Sequence, residues 1–251
     1  MKWFRRKRSL QIKPKLIFLG LIFIVIVASG YLVFMLGDDE TKVALTDSSS
    51  KVSLEVDLSS NKVLEWQNYY NNNDIKGNIT IDGISDFDYP IAQSIDNDYY
   101  LNHNYSKEYD KYGAIYADYR VNLDSSKKIL IYGHSSIKKD VPFNELENYY
   151  SSDYYKEHKY ITIETKTNRK RYEIFSVYVE TNDFTYMNMN FDNEADWYLH
   201  LLRLQSKSLY PIDVELASDD EILIMQTCSK HPDYQNYQNK YLLIVSRRVK
   251  E

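Results

Sequence analysis

One cysteine, Cys228, and five histidines, His103, His134, His158, His200 and His231, are the side chains of this 251-residue chain best suited to act as nucleophile and base. A lone thiol cannot close a disulfide within the chain and is a poor start for a metal site. The five histidines have no recognisable metal-ligand spacing, so no metal or other cofactor is expected. Cys228 ends a strand-like run, Glu221-Ile-Leu-Ile-Met-Gln-Thr-Cys228. It reads either as a reactive thiol or as a small buried hydrophobe, because free cysteine is among the most buried residue types. His134 ends a second run, Lys128-Ile-Leu-Ile-Tyr-Gly-His134. Strand ends are where a scaffold presents side chains to a cleft, and Gly133 lets another chain segment approach closely. An imidazole beside a thiol can lower its pKa and pass the proton on to a leaving amine. His103, His158 and His200 lie in polar or helical contexts and read as surface groups. His231, three residues past the cysteine, competes with His134 for the role of base. The oxyanion of a tetrahedral intermediate also needs a donor. Backbone N–H groups near Cys228 would serve, as would Lys240, Arg247 or Arg248, each of which also reads as an ordinary flanking charge.

The elements that must position these groups are mostly β. Eight runs rich in Ile, Val and Tyr recur between turn residues: 77–82, 89–93, 113–118, 128–132, 160–164, 171–179, 221–228 and 241–246. Eight short strands predict a closed barrel or a sandwich. Helices are expected at 62–70, capped from the segment Leu58-Ser59-Ser60-Asn61, at 143–150 and at 194–204. Val63, Trp66 and Tyr70 fall at helical spacing, so Trp66 is expected to dock the first helix. Trp197, Leu201 and Leu204 share one face of the last.

The N-terminus reads as targeting. Residues 2–15 hold seven Lys and Arg and no acid, and 21 uncharged residues follow, Leu16 to Leu36. That run is long enough to span a bilayer core of about 30 Å. Basic residues on the short flank predict a cytoplasmic N-terminus. The alternative is a cleaved signal peptide with Ala28-Ser29-Gly30 as its weak cleavage site, but the apolar run is longer than a usual signal core. The chain is therefore divided into a basic cytoplasmic segment (1–15), a single-pass transmembrane anchor (16–36), a polar extracellular stalk (37–57) and a catalytic domain (58–251). Setting the seven basic residues aside leaves 24 basic against 36 acidic. So acidic an outer part argues against a nucleic-acid partner.

Four stretches together resemble the class B sortases, membrane-anchored cysteine transpeptidases of Gram-positive bacteria. Ile224-Met-Gln-Thr-Cys228 is similar to the family's TLxTC strand, and Ile131-Tyr-Gly-His134 to the segment carrying its histidine. Tyr89-Pro-Ile91 through Asp96-Asn-Asp-Tyr-Tyr-Leu101 and Gly113-Ala-Ile-Tyr-Ala-Asp-Tyr-Arg120 match two further motifs in the family's order. The resemblance implies an eight-stranded barrel with an N-terminal helical extension and a helix between strands six and seven. It implies Cys228 as nucleophile, His134 as general acid/base and Thr227 as a substrate or oxyanion contact. The reaction implied cleaves a C-terminal NPxTG-like sorting signal between Thr and Gly, holds the acyl part as a thioester, and passes it to an amine of a lipid II-like peptidoglycan precursor. The family's arginine at the start of the last strand is missing: Tyr241 or Lys240 takes its place. That departure keeps open a sortase-like module that binds sorting peptides with little catalysis. A pilin-polymerising sortase is the other alternative.

Overall fold

The computed structural model describes residues 61–250. The expected anchor and stalk lie outside these residues, and among the described residues no helix is long and apolar enough to cross a membrane. Eight strands form a closed barrel: β1 (Ile75–Ile81), β2 (Asp88–Ala92), β3 (Tyr116–Ala117), β4 (Lys128–Tyr132), β5 (Tyr160–Glu164), β6 (Arg169–Glu180), β7 (Ile222–Cys228) and β8 (Tyr241–Arg248). The order around the barrel is β1-β2-β3-β4-β7-β8-β6-β5, and antiparallel pairing of β1 with β5 closes it. Closure leaves no free sheet edge. β2–β3 and β4–β7 are the parallel pairs.

Every expected strand is present, with one shortened: β3 keeps only Tyr116 and Ala117 of the run 113–118. Gly113 is the reason. It sits at φ +56°, and a Cβ there would stand 2.3 Å from the Tyr100 carbonyl oxygen. The chain therefore turns at Gly113 instead of running extended. β4 is buried at all five positions and β7 at Ile222 to Met225. Both faces of this part of the sheet are covered, and the sequence accordingly shows continuous apolar runs without polar alternation.

The N-terminal helix α1 (Lys62–Tyr70) forms as expected. Asn61 caps it through its side chain, and Asn71 ends it at φ 49°. Trp66 does dock it, by donating its indole N–H to Asn78 Oδ1 at 2.7 Å. Residues 142–150 form a 3-10 helix in place of an α-helix, entered through Pro142. A short helix, α2 (Ser152–Glu157), follows it. The β6–β7 connection carries α3 (Glu194–Ser206), whose Trp197, His200, Leu201 and Leu204 are buried. Each of the two leucines contributes about 1.5–3 kcal/mol by leaving water. His200 shares that spacing, so it lies in the interior and not on the surface as expected. Burial, with Lys128 beside it, lowers its pKa to about 3 and keeps it neutral.

Candidate active site

β4 and β7 run parallel, pairing Lys128 with Ile222 through to Tyr132 with Gln226. Carried two residues further, this register sets His134 level with Cys228, both on the face shared by Tyr132 and Gln226. Two contacts hold the extension. Gly133 N–H donates to the Gln226 carbonyl at 3.1 Å, and Ser135 Oγ donates to the Cys228 carbonyl. Gly133 is required where it stands: a Cβ would meet the buried Phe143 ring at 2.6 Å.

Cys228 is exposed, which removes the reading as a small buried hydrophobe. Its thiol pKa is nonetheless pushed above the ordinary value, first by loss of hydration and then by the Glu147 carboxylate. Lys240 and Lys230 pull the other way. These two facts fit a sulfur in a shallow recess, with one edge open and walls that disfavour the thiolate. Proton removal must therefore come from a base. His134 Nε2 lies 2.8 Å from the Leu101 carbonyl oxygen. A carbonyl only accepts, so this nitrogen carries the proton, and Nδ1 of the neutral ring is left as the acceptor. His231 is held elsewhere: its Nδ1 accepts the Asp233 N–H at 3.3 Å and its ring packs on Tyr150.

The stand-ins for the missing arginine separate clearly. Tyr241 pairs directly with Cys228 across β7–β8 and so shares its face. Lys240 turns its Nζ to the carbonyl and side chain of Gln235, at 3.2 and 3.1 Å, while its own carbonyl accepts the Ser229 N–H at 2.8 Å. Arg247 and Arg248 sit at the far end of β8, on Glu173 and Glu221. Thr227 lies on the opposite face of β7, 2% exposed, with an unpartnered hydroxyl. Its side chain is thus turned away from the surface carrying Cys228, and only its main chain adjoins the nucleophile.

Several groups around the site were not singled out from the sequence. Gln226, two residues before the nucleophile, accepts from Tyr186 of the β6–β7 connection at 2.7 Å. Asp118 is fully buried and binds Arg120 through Nε and a terminal nitrogen, both at 2.8 Å. It also accepts from the Tyr132 hydroxyl at 2.7 Å and from Asn97 at 3.0 Å. Burial works to raise the Asp118 pKa, but these donors outweigh it and hold the carboxyl at about 2. Asp118 and Arg120 fall inside the 113–120 motif; their pairing was not visible there because it is a contact between side chains brought together by the turn after β3.

The family model described as "Sortase domain" matches residues 79–248. The chain is 36% identical over 165 residues to a sortase B of Listeria monocytogenes, covering 65% of this chain and 66% of that one, just under two thirds of the relative's length. Among solved structures, a Staphylococcus aureus sortase B–substrate complex superposes with a TM-score of 0.65 at 28% identity, covering 75% of this chain and 84% of that one. A sortase B complexed with triglycine gives a TM-score of 0.66 at 29% identity, covering 74% and 85%. The family match spans more than half of the chain and includes His134 and Cys228, so this chain belongs to the sortase family, with sortase B proteins as the relatives it resembles.

Proposed function

We propose that this chain cleaves a sorting signal of NPxTG type between Thr and Gly and joins the acyl part to an amine of a peptidoglycan precursor. The observation carrying this reading is the parallel β4–β7 register, which sets His134 level with an exposed Cys228. Cys228 Sγ attacks the Thr carbonyl carbon as His134 Nδ1 takes the thiol proton. The oxyanion forms on the face that Tyr241 shares with Cys228, and Tyr241 supplies a hydrogen bond in place of the missing guanidinium. Collapse breaks the peptide C–N bond, and His134 returns the proton to the leaving Gly nitrogen, which leaves a thioester. An acceptor amine then attacks the thioester carbonyl and gives a proton to His134; the new amide C–N bond forms as the C–S bond breaks, and His134 passes that proton to the departing sulfur to restore the thiol. That one relative was solved with a substrate and another with triglycine supports a sorting peptide and an amine as the two partners.

The proposed setting is a single-pass membrane protein with its catalytic domain outside the cell. It rests on the basic segment 1–15 and the uncharged run 16–36. The missing arginine and the raised thiol pKa favour a second reading, a module that binds sorting peptides but turns them over poorly. Intact-mass spectrometry with an NPQTG-type peptide decides between them. An adduct of the acyl fragment that an added amine removes is the expected result. It should be absent in Cys228→Ala and reduced in His134→Asn. Peptide binding with no adduct overturns the transpeptidase reading.

A further inference from the structure

At the end of β4 away from His134, the β6–β7 connection and the first residues of β4 line an open cavity of about 830 Å³. Lys128 begins β4 and Tyr132 ends it, so at ~3.3 Å per residue Lys128 stands about 13 Å from the strand end that leads to His134. Three cations line this cavity: Arg120, Lys127 and Lys128. Lys128 is only 3% exposed. Its Nζ donates to the Asn188 carbonyl at 2.7 Å and lies 3.0 Å from Nε2 of neutral His200, with the Phe191 ring 5.6 Å away. An ammonium has three N–H donors, so one remains. Among the described residues, no carboxylate lies within ion-pair distance of Lys128 or Lys127. The Lys127 amine reaches the Ser218 carbonyl and the Trp197 ring instead. Arg120 is oriented by its fork on Asp118, which leaves its other terminal nitrogen outside that pairing.

A buried cation without a counter-charge is costly, and such a group sheds its proton or finds an anion. Burial and the nearby Arg120 push the Lys128 amine down to about 7. The groups facing it from other elements are Arg120, itself paired with Asp118, His200 and, behind His200, Arg203, Lys207 and Asp183. The carboxylate on the rim is Glu194, exposed at the start of α3. A lysine with a purely structural role would need neither the open volume nor two further cations around it.

We propose that this cavity is a second binding site, for an oxyanion, with Lys128 as its buried anchor and Arg120 and Lys127 as flanking donors. The shared chemistry is that of a phosphate or a carboxylate group, and the test separates the two. The full chain in detergent is titrated calorimetrically with inorganic phosphate and, separately, with acetate, at pH 6.5 and constant ionic strength. Saturable binding of one of them is expected. Phosphate alone assigns a phosphorylated ligand, and acetate alone assigns a carboxylate. Lys128→Met should weaken binding by about tenfold or more, the worth of one charge-assisted hydrogen bond. Lys127→Gln alters an exposed side chain, so it keeps the test alive if Lys128→Met fails to fold, and it should weaken binding measurably. The 13Cε resonance of Lys128 should titrate at higher pH when the anion is bound, which a structural role would not produce. Saturation should leave the alkylation rate of Cys228 unchanged. No saturable binding of either anion, or equal binding by folded Lys127→Gln and Lys128→Met, overturns the proposal.

Discussion

Replacing Asp118 by Asn tests whether the buried network behind His134 holds by charge. Asp118 is fully buried, while about a third of the Arg120 side chain is exposed, so solvent screens the pair from the Arg120 side. Its carboxyl lies at about 2 against an ordinary 3.8. At about 1.36 kcal/mol per pH unit, that difference is worth about 2.5 kcal/mol of stability. The sign follows from the depressed folded pKa. The stability is fully present above about pH 4, where the unfolded carboxyl is also ionised, and it is lost as the pH falls toward about 2. With that screening discounted, Asp118→Asn should cost about 2 kcal/mol at pH 7. For a domain of this size that is a fall in Tm of about 4–8 °C. Urea denaturation of both proteins from pH 7 downward is the assay. The gap between them should stay constant to about pH 4 and then narrow. A gap below about 1 kcal/mol at pH 7, or one that narrows between pH 7 and 5, would refute the account. Because Asp118 binds the hydroxyl of Tyr132, two residues before His134, thioester formation should slow in the same variant.

Three further outcomes follow from the site. Because the Cys228 thiol titrates above its ordinary value, its alkylation by iodoacetamide should keep rising with pH beyond the midpoint of a free thiol. Glu147→Gln should bring that midpoint down and Lys240→Gln should raise it, and shifts in the same direction would contradict the charge arrangement. Gly133→Ala forces a Cβ against Phe143 and should cost about 1–3 kcal/mol as overpacking, with slower thioester formation in a folded protein. Unchanged kinetics would show that the strand end gives way freely. Trp66→Phe removes the hydrogen bond to Asn78 and should lower stability by about 1 kcal/mol with peptide cleavage intact, read by denaturation and by turnover.

The periodicity of apolar residues was sufficient to place all eight strands and the helices that begin at Lys62 and Glu194, because both are local signals written in side-chain alternation and spacing. Asn61 as a cap and Trp66 as the docking residue were equally legible. Cys228 and His134 could be picked out as strand-end groups, and the shared offset of 94 residues is present in the sequence. That the offset sets the two residues level depends on β4 and β7 being parallel neighbours, which only the closed barrel decides. The same holds where the expectations missed. His200 reads as polar, yet the helix that carries it buries it against Lys128. The run at 113–118 reads as a full strand, yet Gly113 turns the chain against Tyr100. Lys240 and Tyr241 are adjacent in sequence, and antiparallel pairing alone puts Tyr241 across from the thiol while Lys240 turns to Gln235. Local pattern determines which element a residue joins. Burial, charge compensation and the facing of side chains are set by partners distant in the chain, and these arise only when the barrel closes.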